Sequence, residues 1–207
     1  MASPAPAPQS LAWDGSTLWM GSRDTKVIYA INPVTWTVGW QTTAPGVPWG
    51  MTAVNGELRV LCGETADDHR NIRRCVPGQG FDERFVLPCP DDTGSHLSFD
   101  GRTLYVSQWY PKKIIAVGAD GRPGRVIQVP RGICGHTLVD GVFYLVTTDA
   151  EETNEYFLTL VDPRLATAKV DVIARIGFSA RALAFDGKNF WTNHREADQI
   201  VSFKRPD

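Results

Sequence analysis

The sequence predicts an all-β fold, a five-bladed β-propeller, from a short motif that occurs five times. Each copy has a few apolar residues, then Asp or Asn, then Gly, then a second apolar run. Asn-Gly and Asp-Gly between apolar runs are a strong hairpin signal, because a type I′ turn needs positive φ at both central residues. A repeat of about 40 residues built from such hairpins is typical of propeller blades. The five turns begin at Asp14, Asn55, Asp100, Asp140 and Asp186, which are 41, 45, 40 and 46 residues apart.

The first four copies each contain enough apolar runs for four antiparallel strands, labelled a to d from the propeller axis outward. In the first copy the alternation of Val27, Tyr29 and Ile31 is typical of a strand. The fifth copy has only the runs 190–192 and 200–203 after its strand a. We therefore expect a last blade that is incomplete, with three strands, or one that is closed by the N-terminus. The runs in copies two to four are 58–61, 72–75 and 85–87, then 104–106, 114–117 and 126–129, then 143–146, 157–161 and 170–173.

The composition favours a single domain without a membrane span. The repeat fills most of the 207 residues and leaves no boundary for a second folding unit. We expect a flexible Pro/Ala-rich tail at residues 1–9 and one propeller domain at residues 10–207. No apolar run approaches the roughly 18 residues of a membrane helix. The net charge of −2 gives no electrostatic basis for binding nucleic acid or an anionic membrane.

The number and placement of the cysteines bear on the cellular compartment of the protein. The four residues Cys62, Cys75, Cys89 and Cys134 are an even number and lie on hairpin arms and blade entries, which allows two disulfides. Disulfides are typical of oxidising compartments, so we predict a secreted or periplasmic mature form. Four reduced core cysteines in a cytoplasmic protein are the alternative.

Histidines provide the main candidates for catalysis. The segments that lead into each strand a, and the loops between strands b and c, are expected at one end of the ring, which we call the upper face. His96 and His136 each stand four residues before the Asp of their turn, so they occupy the same position in adjacent blades, and His194 begins the b–c loop of blade five. Such imidazoles can act as acid and base, which makes these three the predicted catalytic residues. His96 and His136 can alternatively bind a divalent metal ion, or hydrogen bond to loop backbone in a structural role.

A second set of residues is expected on the same face as a binding site. Arg181 precedes an inner-strand position, where its planar guanidinium can clamp a carboxylate. Trp49, Trp109 and Tyr110 can form an aromatic wall for a ring-bearing ligand. The predicted substrate-binding set is Arg181, Trp49, Trp109, Tyr110, Gln108 and Met51.

Two stretches resemble known propeller families. Residues 183–193 in blade five, Leu-Ala-Phe-Asp-Gly-Lys-Asn-Phe-Trp-Thr-Asn, are similar to the repeat of streptogramin-lyase-like propellers. Residues 18–35 and 48–56 resemble the first two blades of five-bladed glutamine cyclotransferases, although residues 18–22 lack that family's glutamate. The lyase resemblance implies elimination chemistry with a histidine and a divalent ion, and His194 or His136 is the histidine it would use.

These observations lead to one functional hypothesis and one alternative. The hypothesis is a small-molecule enzyme of lyase, hydrolase or cyclotransferase type, with its histidine-rich site at the mouth of the propeller channel. Its partner would be a small-molecule substrate or ligand, and the chain would be a monomer or a dimer. The alternative is a non-catalytic propeller that binds a sugar, a peptide or a partner protein on the same face.

Overall fold

The computed structural model describes residues 1–64, 69–150, 155–164 and 170–206, which form five antiparallel sheets and two short 3-10 turns at Pro90–Asp92 and Arg195–Ala197. The strands in chain order are β1 (Pro8–Trp13), β2 (Leu18–Ser22), β3 (Val27–Ile31), β4 (Val38–Thr43), β5 (Val47–Val54), β6 (Glu57–Gly63), β7 (Arg70–Val76), β8 (Gly80–Pro88), β9 (His96–Phe99), β10 (Leu104–Gln108), β11 (Lys113–Val117), β12 (Pro123–Gln128), β13 (Gly132–Val139), β14 (Val142–Thr148), β15 (Tyr156–Val161), β16 (Val170–Ile176), β17 (Ala184–Phe185), β18 (Asn189–His194) and β19 (Gln199–Lys204).

The sheets are the blades of a propeller. Four sheets have four strands in sequential order, and the last, β17-β18-β19, has three. The first strand of each sheet contacts the first strand of the next, and β17 contacts β1, so the inner strands form a closed ring of five. The predicted five-bladed propeller is therefore confirmed, as is a last blade of three strands.

The hydrophobic core is divided into five clusters, each of which lies between two adjacent blades. The cluster between blades one and two joins Trp19 of β2 to Met51 of β5, and Trp40 of the outer strand β4 packs against it. The cluster between blades four and five joins Tyr144 of β14 to Phe190 of β18. Because every blade is buried on both faces, strands b read as nearly continuous apolar runs.

The turns between strands a and b fall into two classes. In blades two and four they have two residues with positive φ, Asn55-Gly56 and Asp140-Gly141, as a type I′ turn requires. In blades one, three and five the turn has four residues, and among these only the glycine has positive φ. The prediction of type I′ turns is correct for two blades and wrong for the other three, where an Asp side chain organises a longer turn.

Asp186 shows how the longer turn is held. One carboxylate oxygen accepts hydrogen bonds from the backbone amides of Lys188 and Asn189, at 2.8 and 2.6 Å, and the other accepts from the indole N–H of Trp191 at 2.7 Å. Burial disfavours the charged carboxylate, but these hydrogen bonds outweigh it and lower the pKa of Asp186. The equivalent donors are Ser16, Thr17 and Trp19 around Asp14, and Arg102, Thr103 and Tyr105 around Asp100.

The N-terminal residues lie along blade five. Met1 and Ile200 exchange two backbone hydrogen bonds of 2.9 Å, and the amide of Ala7 donates to the carboxylate of Asp198 at 2.7 Å. Residues 1–9, expected as a flexible tail, are thus hydrogen bonded to the propeller, and β1 starts two residues before the expected boundary. This contact covers one end of β19, so the N-terminus closes blade five only in part.

None of the four cysteines forms a disulfide, whereas the sequence allowed two. Cys62 and Cys75 lie on adjacent strands, but the register pairs Cys75 with Leu58, four residues away from Cys62. That offset is roughly 13 Å along a strand, which is too far for a disulfide. Cys89 and Cys134 belong to different inter-blade clusters. Burial raises the pKa of Cys75 and of Cys89 to about 12.

We expect Asp186→Asn to lower the free energy of unfolding by about 1 kcal/mol. An amide offers only one oxygen, so its NH₂ group would face either the indole N–H of Trp191 or the turn amides. Asp140→Asn is the matched control, because Asp140 has the same repeat position but is exposed, and its carboxylate accepts a hydrogen bond from the guanidinium of Arg205. Urea denaturation, monitored by tryptophan fluorescence, measures the free energy of unfolding of the two variants. Equal losses in the two variants would contradict the stabilising role of the buried Asp–Trp pair.

Candidate functional site

The upper face carries a pocket over the mouth of the channel. Its volume is about 290 Å³. Four arginines line it and, among the described lining residues, there is no carboxylate. The described lining residues are Gln9, Arg23, Trp49, Arg70, Thr93, Ser95, Trp109, Tyr110, Cys134, Arg181 and Arg195.

Two tryptophans form parts of the pocket wall, and each lies on a glycine. Trp49 packs against Gly63 so closely that a Cβ there would overlap its indole nitrogen, and the guanidinium of Arg70 lies 4.4 Å from the indole centroid. Trp109 lies against Gly132, where a Cβ would be 2.6 Å from the indole. Tyr110 meets Trp109 edge to face at 4.7 Å and is 75% exposed.

Arg181 reaches the pocket from the inner end of blade five. The side-chain oxygen of Asn193 accepts hydrogen bonds from the backbone amides of Arg181 and Ala182, both at 2.9 Å, which fixes the segment before β17. The Arg181 guanidinium lies 3.8 Å from the sulfur of Cys134 and 5.5 Å from the ring centroid of Tyr156. Only 7% of Arg181 is exposed, so its charge is held in one place rather than on a mobile surface chain.

The structure separates the predicted binding residues into two groups. Arg181, Trp49, Trp109 and Tyr110 all line the upper pocket. Gln108 is fully buried and donates hydrogen bonds to the carbonyls of residues 90 and 93 at 2.7 and 3.0 Å, so it holds the turn below the pocket. Met51 is fully buried in the core between blades one and two.

Four further lining residues lie outside the predicted binding set: three arginines that the sequence places on this face but that we expected to belong to a solvated surface, and Gln9. Gln9 falls in the segment expected as a tail, although its side-chain oxygen accepts from Arg195 at 3.1 Å. Arg23, Arg70 and Arg195 lie on or beside b–c loops, where a charged residue usually belongs to a solvated surface. The signal that could have identified them is the recurrence of arginine at the ends of the b–c loops in three blades, directly after strand b at Arg23 and Arg195 and at the start of strand c at Arg70.

His96 and His136 do not line the upper pocket. Both are fully enclosed, at 1% and 0% exposure, with ring centroids 5.6 Å apart between the inner strands of blades three and four. They border a second cavity of about 150 Å³ that extends along the inner strands toward the a–b turns. We expected these two residues at the mouth of the channel, but the structure places them inside it.

Their environment keeps both imidazoles neutral. Burial lowers the pKa of His96 to about 4, although nearby carbonyl groups of Leu97, His136 and Leu11 oppose the shift. Burial, and then the proximity of His96, lower the pKa of His136 well below its ordinary value. The Nδ1 atom of His96 donates to the carbonyl of Leu97 at 2.9 Å, whereas neither nitrogen of His136 has a partner among the described residues.

The third predicted catalytic residue lies apart from the other two. His194 is half-buried at the end of β18, with its ring 4.7 Å from that of Phe178, and it is not a described lining residue of the pocket. Within the described residues no group of three or more His, Cys, Asp or Glu side chains is placed to hold a metal ion. A metal ion bound by His96 and His136 remains a prediction. Among the described residues, it would have only these two imidazoles as ligands.

Comparisons with known proteins identify the fold. No protein-family model matches the chain, and a search of curated proteins finds no similar sequence. Among solved structures, the chain is similar to the Neurospora crassa Pan2 WD40 domain, with 11% identity, a TM-score of 0.58, and coverage of 98% of this chain and 64% of that one. It also matches BamB from Moraxella catarrhalis, with 16% identity, a TM-score of 0.48, and coverage of 97% and 59%. The chain thus spans about 60% of the length of these structures.

These comparisons correct two expectations. They show the propeller fold but not a resemblance to glutamine cyclotransferases. The prediction of a small-molecule substrate or ligand as partner is contradicted by the structural similarity to a WD40 domain. No helix among the described residues has the length and apolarity that crossing a bilayer requires. The secreted or periplasmic location stays a prediction.

We expect the buried histidine pair to destabilise the fold on mild acidification. Below pH 6.5 the unfolded chain takes up protons on these histidines, whereas folded His96 takes one up only near pH 4. The free energy of unfolding therefore falls as pH drops through this window, by about 2 kcal/mol for His96 between pH 7.5 and 5.0. Urea denaturation at both pH values measures the loss. His96→Gln should show a smaller pH dependence, and an unchanged dependence in this variant would refute the assignment.

Proposed function

We propose that the chain is a non-catalytic binding propeller that recognises an acidic segment of a partner protein in its upper pocket. The observation that carries this proposal is the convergence of four arginines and three large aromatic side chains on one depression. Arginine, tryptophan and tyrosine are the residues that most often dominate the energy of protein–protein interfaces.

The arginines favour a carboxylate-bearing partner. The chain as a whole has a net charge of −2, so this concentration of positive charge is local. A guanidinium binds a carboxylate through two parallel hydrogen bonds, which gives orientation as well as affinity. The guanidinium of Arg70 lies over the ring of Trp49, and that of Arg181 lies near the ring of Tyr156. These contacts restrict the orientation of both guanidinium groups.

The dimensions of the pocket favour a protein segment. A volume of about 290 Å³ is at the lower limit of small-molecule sites, which usually measure about 300–1,000 Å³. A side chain of a larger partner can fill it while the partner covers the rim. Tyr110, at 75% exposure, is a large aromatic residue on that rim with most of its surface available to a partner.

The geometry gives no support to an enzymatic function. His96 and His136 are enclosed below the pocket and neutral, and the described pocket lining contains no histidine, Asp or Glu that could serve as acid or base. The alternative of binding on the upper face fits these positions better.

An octapeptide of alternating Glu and Asp with a fluorescent label tests the proposal by anisotropy. We expect saturable binding that weakens as salt rises, because exposed charges are screened. The double variant Arg70→Gln/Arg195→Gln should weaken binding at least tenfold. Arg122→Gln is the control, because Arg122 is an exposed arginine outside the pocket, in the turn between β11 and β12.

Three results would overturn this function. They are the absence of saturable binding by the acidic peptide, equal binding of the double variant and the unchanged protein, and an equal loss in the Arg122→Gln control. The third would assign the binding to general electrostatics.

A further inference from the structure

The outer edge of blade five is only partly covered. The outer strand β4, β8, β12 or β16 completes each of the other four blades, whereas β19 is the outermost strand of its sheet. The N-terminal residues pair with one end of this strand: Met1 with Ile200, Ala2 with Gln199, and the Ser3 amide with the carbonyl of residue 198 at 2.8 Å. They leave the rest of β19 without a neighbour on that side among the described residues.

The register shows which backbone groups the open edge presents. Ile200 exchanges both of its outward hydrogen bonds with Met1, so its N–H and C=O point away from β18. Alternate residues of a strand point the same way, so the backbone groups of Ser202 and Lys204 also point outward. Neither residue has a backbone partner on that side among the described residues. The edge therefore offers two donors and two acceptors in the spacing of an antiparallel ladder.

An apolar groove lies beside this edge. It has a volume of about 390 Å³ and is lined by Tyr144, Leu160, Ile173, Arg205 and Pro206. In the core between blades one and two, the corresponding space receives Phe81 from the outer strand of blade two. Among the described residues, blade five supplies no such side chain toward blade four. The groove therefore lies where a fourth strand of this blade would place one.

We infer that this edge is an acceptor site for an extended segment of a partner protein, which adds to β19 as the fourth strand of blade five. The segment runs antiparallel to β19, in the direction that Met1–Ser3 sets, and places one apolar side chain in the groove. Addition of a strand to an open sheet edge is a recurrent mode of peptide recognition, in which the backbone gives affinity and the pocket gives selectivity. This surface is separate from the upper pocket, so the inference goes beyond the proposed function.

Two features favour a partner segment over a second copy of this chain. The β19 of a second copy would bring its own Met1–Ser3 along the same edge, so an edge-to-edge pair would be limited to the four residues 201–204 of each copy. The open end of the edge also carries Lys204, and Lys188 beside its cross-strand neighbour, both exposed. These like charges oppose self-pairing and favour a segment with an acidic residue.

A fused strand tests whether the edge accepts a segment. Six Gly/Ser residues and a copy of residues 170–176, an outer strand of this protein with alternating apolar residues, are added after residue 207. Tethering gives the fused strand an effective concentration in the millimolar range, so the bound state is populated even if the strand binds the edge weakly. We expect a higher melting temperature and at least tenfold slower hydrogen exchange at the amides of Ser202 and Lys204. The same residues in scrambled order, without the alternation, form the control.

Ser202→Pro and Ser202→Ala form a matched pair for the same experiment. The N–H of Ser202 points outward, so proline leaves the pairing with β18 intact and removes a donor of the open edge. Proline should abolish the stabilisation by the fused strand, whereas alanine, which keeps the N–H, should preserve it. The double variant Arg70→Gln/Arg195→Gln should leave it unchanged, which separates this site from the upper pocket.

The untethered peptide of residues 170–176 then tests recognition in trans. Slowed exchange at Ser202 and Lys204 that rises with peptide concentration supports the inference. Unchanged exchange with the fused strand, or equal stabilisation in Ser202→Pro, overturns it. Slowed exchange that depends on protein concentration without any peptide also overturns it, and assigns the edge to a second copy of the chain.

Discussion

The close approach of the five inner strands is the constraint on which the rest of the structure depends. A Cβ at Gly50 of β5 would overlap the Cα of His96 in β9, and a Cβ at Gly135 of β13 would lie 2.6 Å from the Cα of Ala182. Any larger residue would push adjacent blades apart and open the cores between them. Because the cores lie between blades, the stability of each blade depends on the position of its neighbours.

This tight centre determines where binding chemistry can occur. His96 and His136 are enclosed between blades three and four, and this burial lowers the pKa of both imidazoles, so they stay neutral. Above them, the side chains that line the upper pocket are mainly arginines and aromatic residues. Arg23 is exposed and Arg70 and Arg195 are half-buried, so solvent stabilises their charges and a partner can reach them, whereas Arg181 is buried.

The two proposed surfaces use different physical means of recognition. The upper pocket presents side chains, and its selectivity would come from the charge of Arg70, Arg181 and Arg195. The edge of β19 presents backbone groups, so its affinity would depend little on the identity of most side chains in the segment it accepts. A partner that engaged both surfaces would gain from the linkage between them, because the second contact would be intramolecular.

The sequence by itself determined the number of blades, the incomplete last blade and some of the residues that share the upper face. The spacing of the Asp-Gly and Asn-Gly turns sets the repeat, and strand alternation places Arg181, Trp49 and Trp109 at one end of the ring. The tertiary structure alone decided the burial of the histidine pair, the lack of disulfides between the four cysteines, the two classes of turn and how far the N-terminal residues cover β19. Periodicity defines directions within one sheet, whereas these features depend on distances between strands that are remote in sequence, which only the packing of blades against each other fixes.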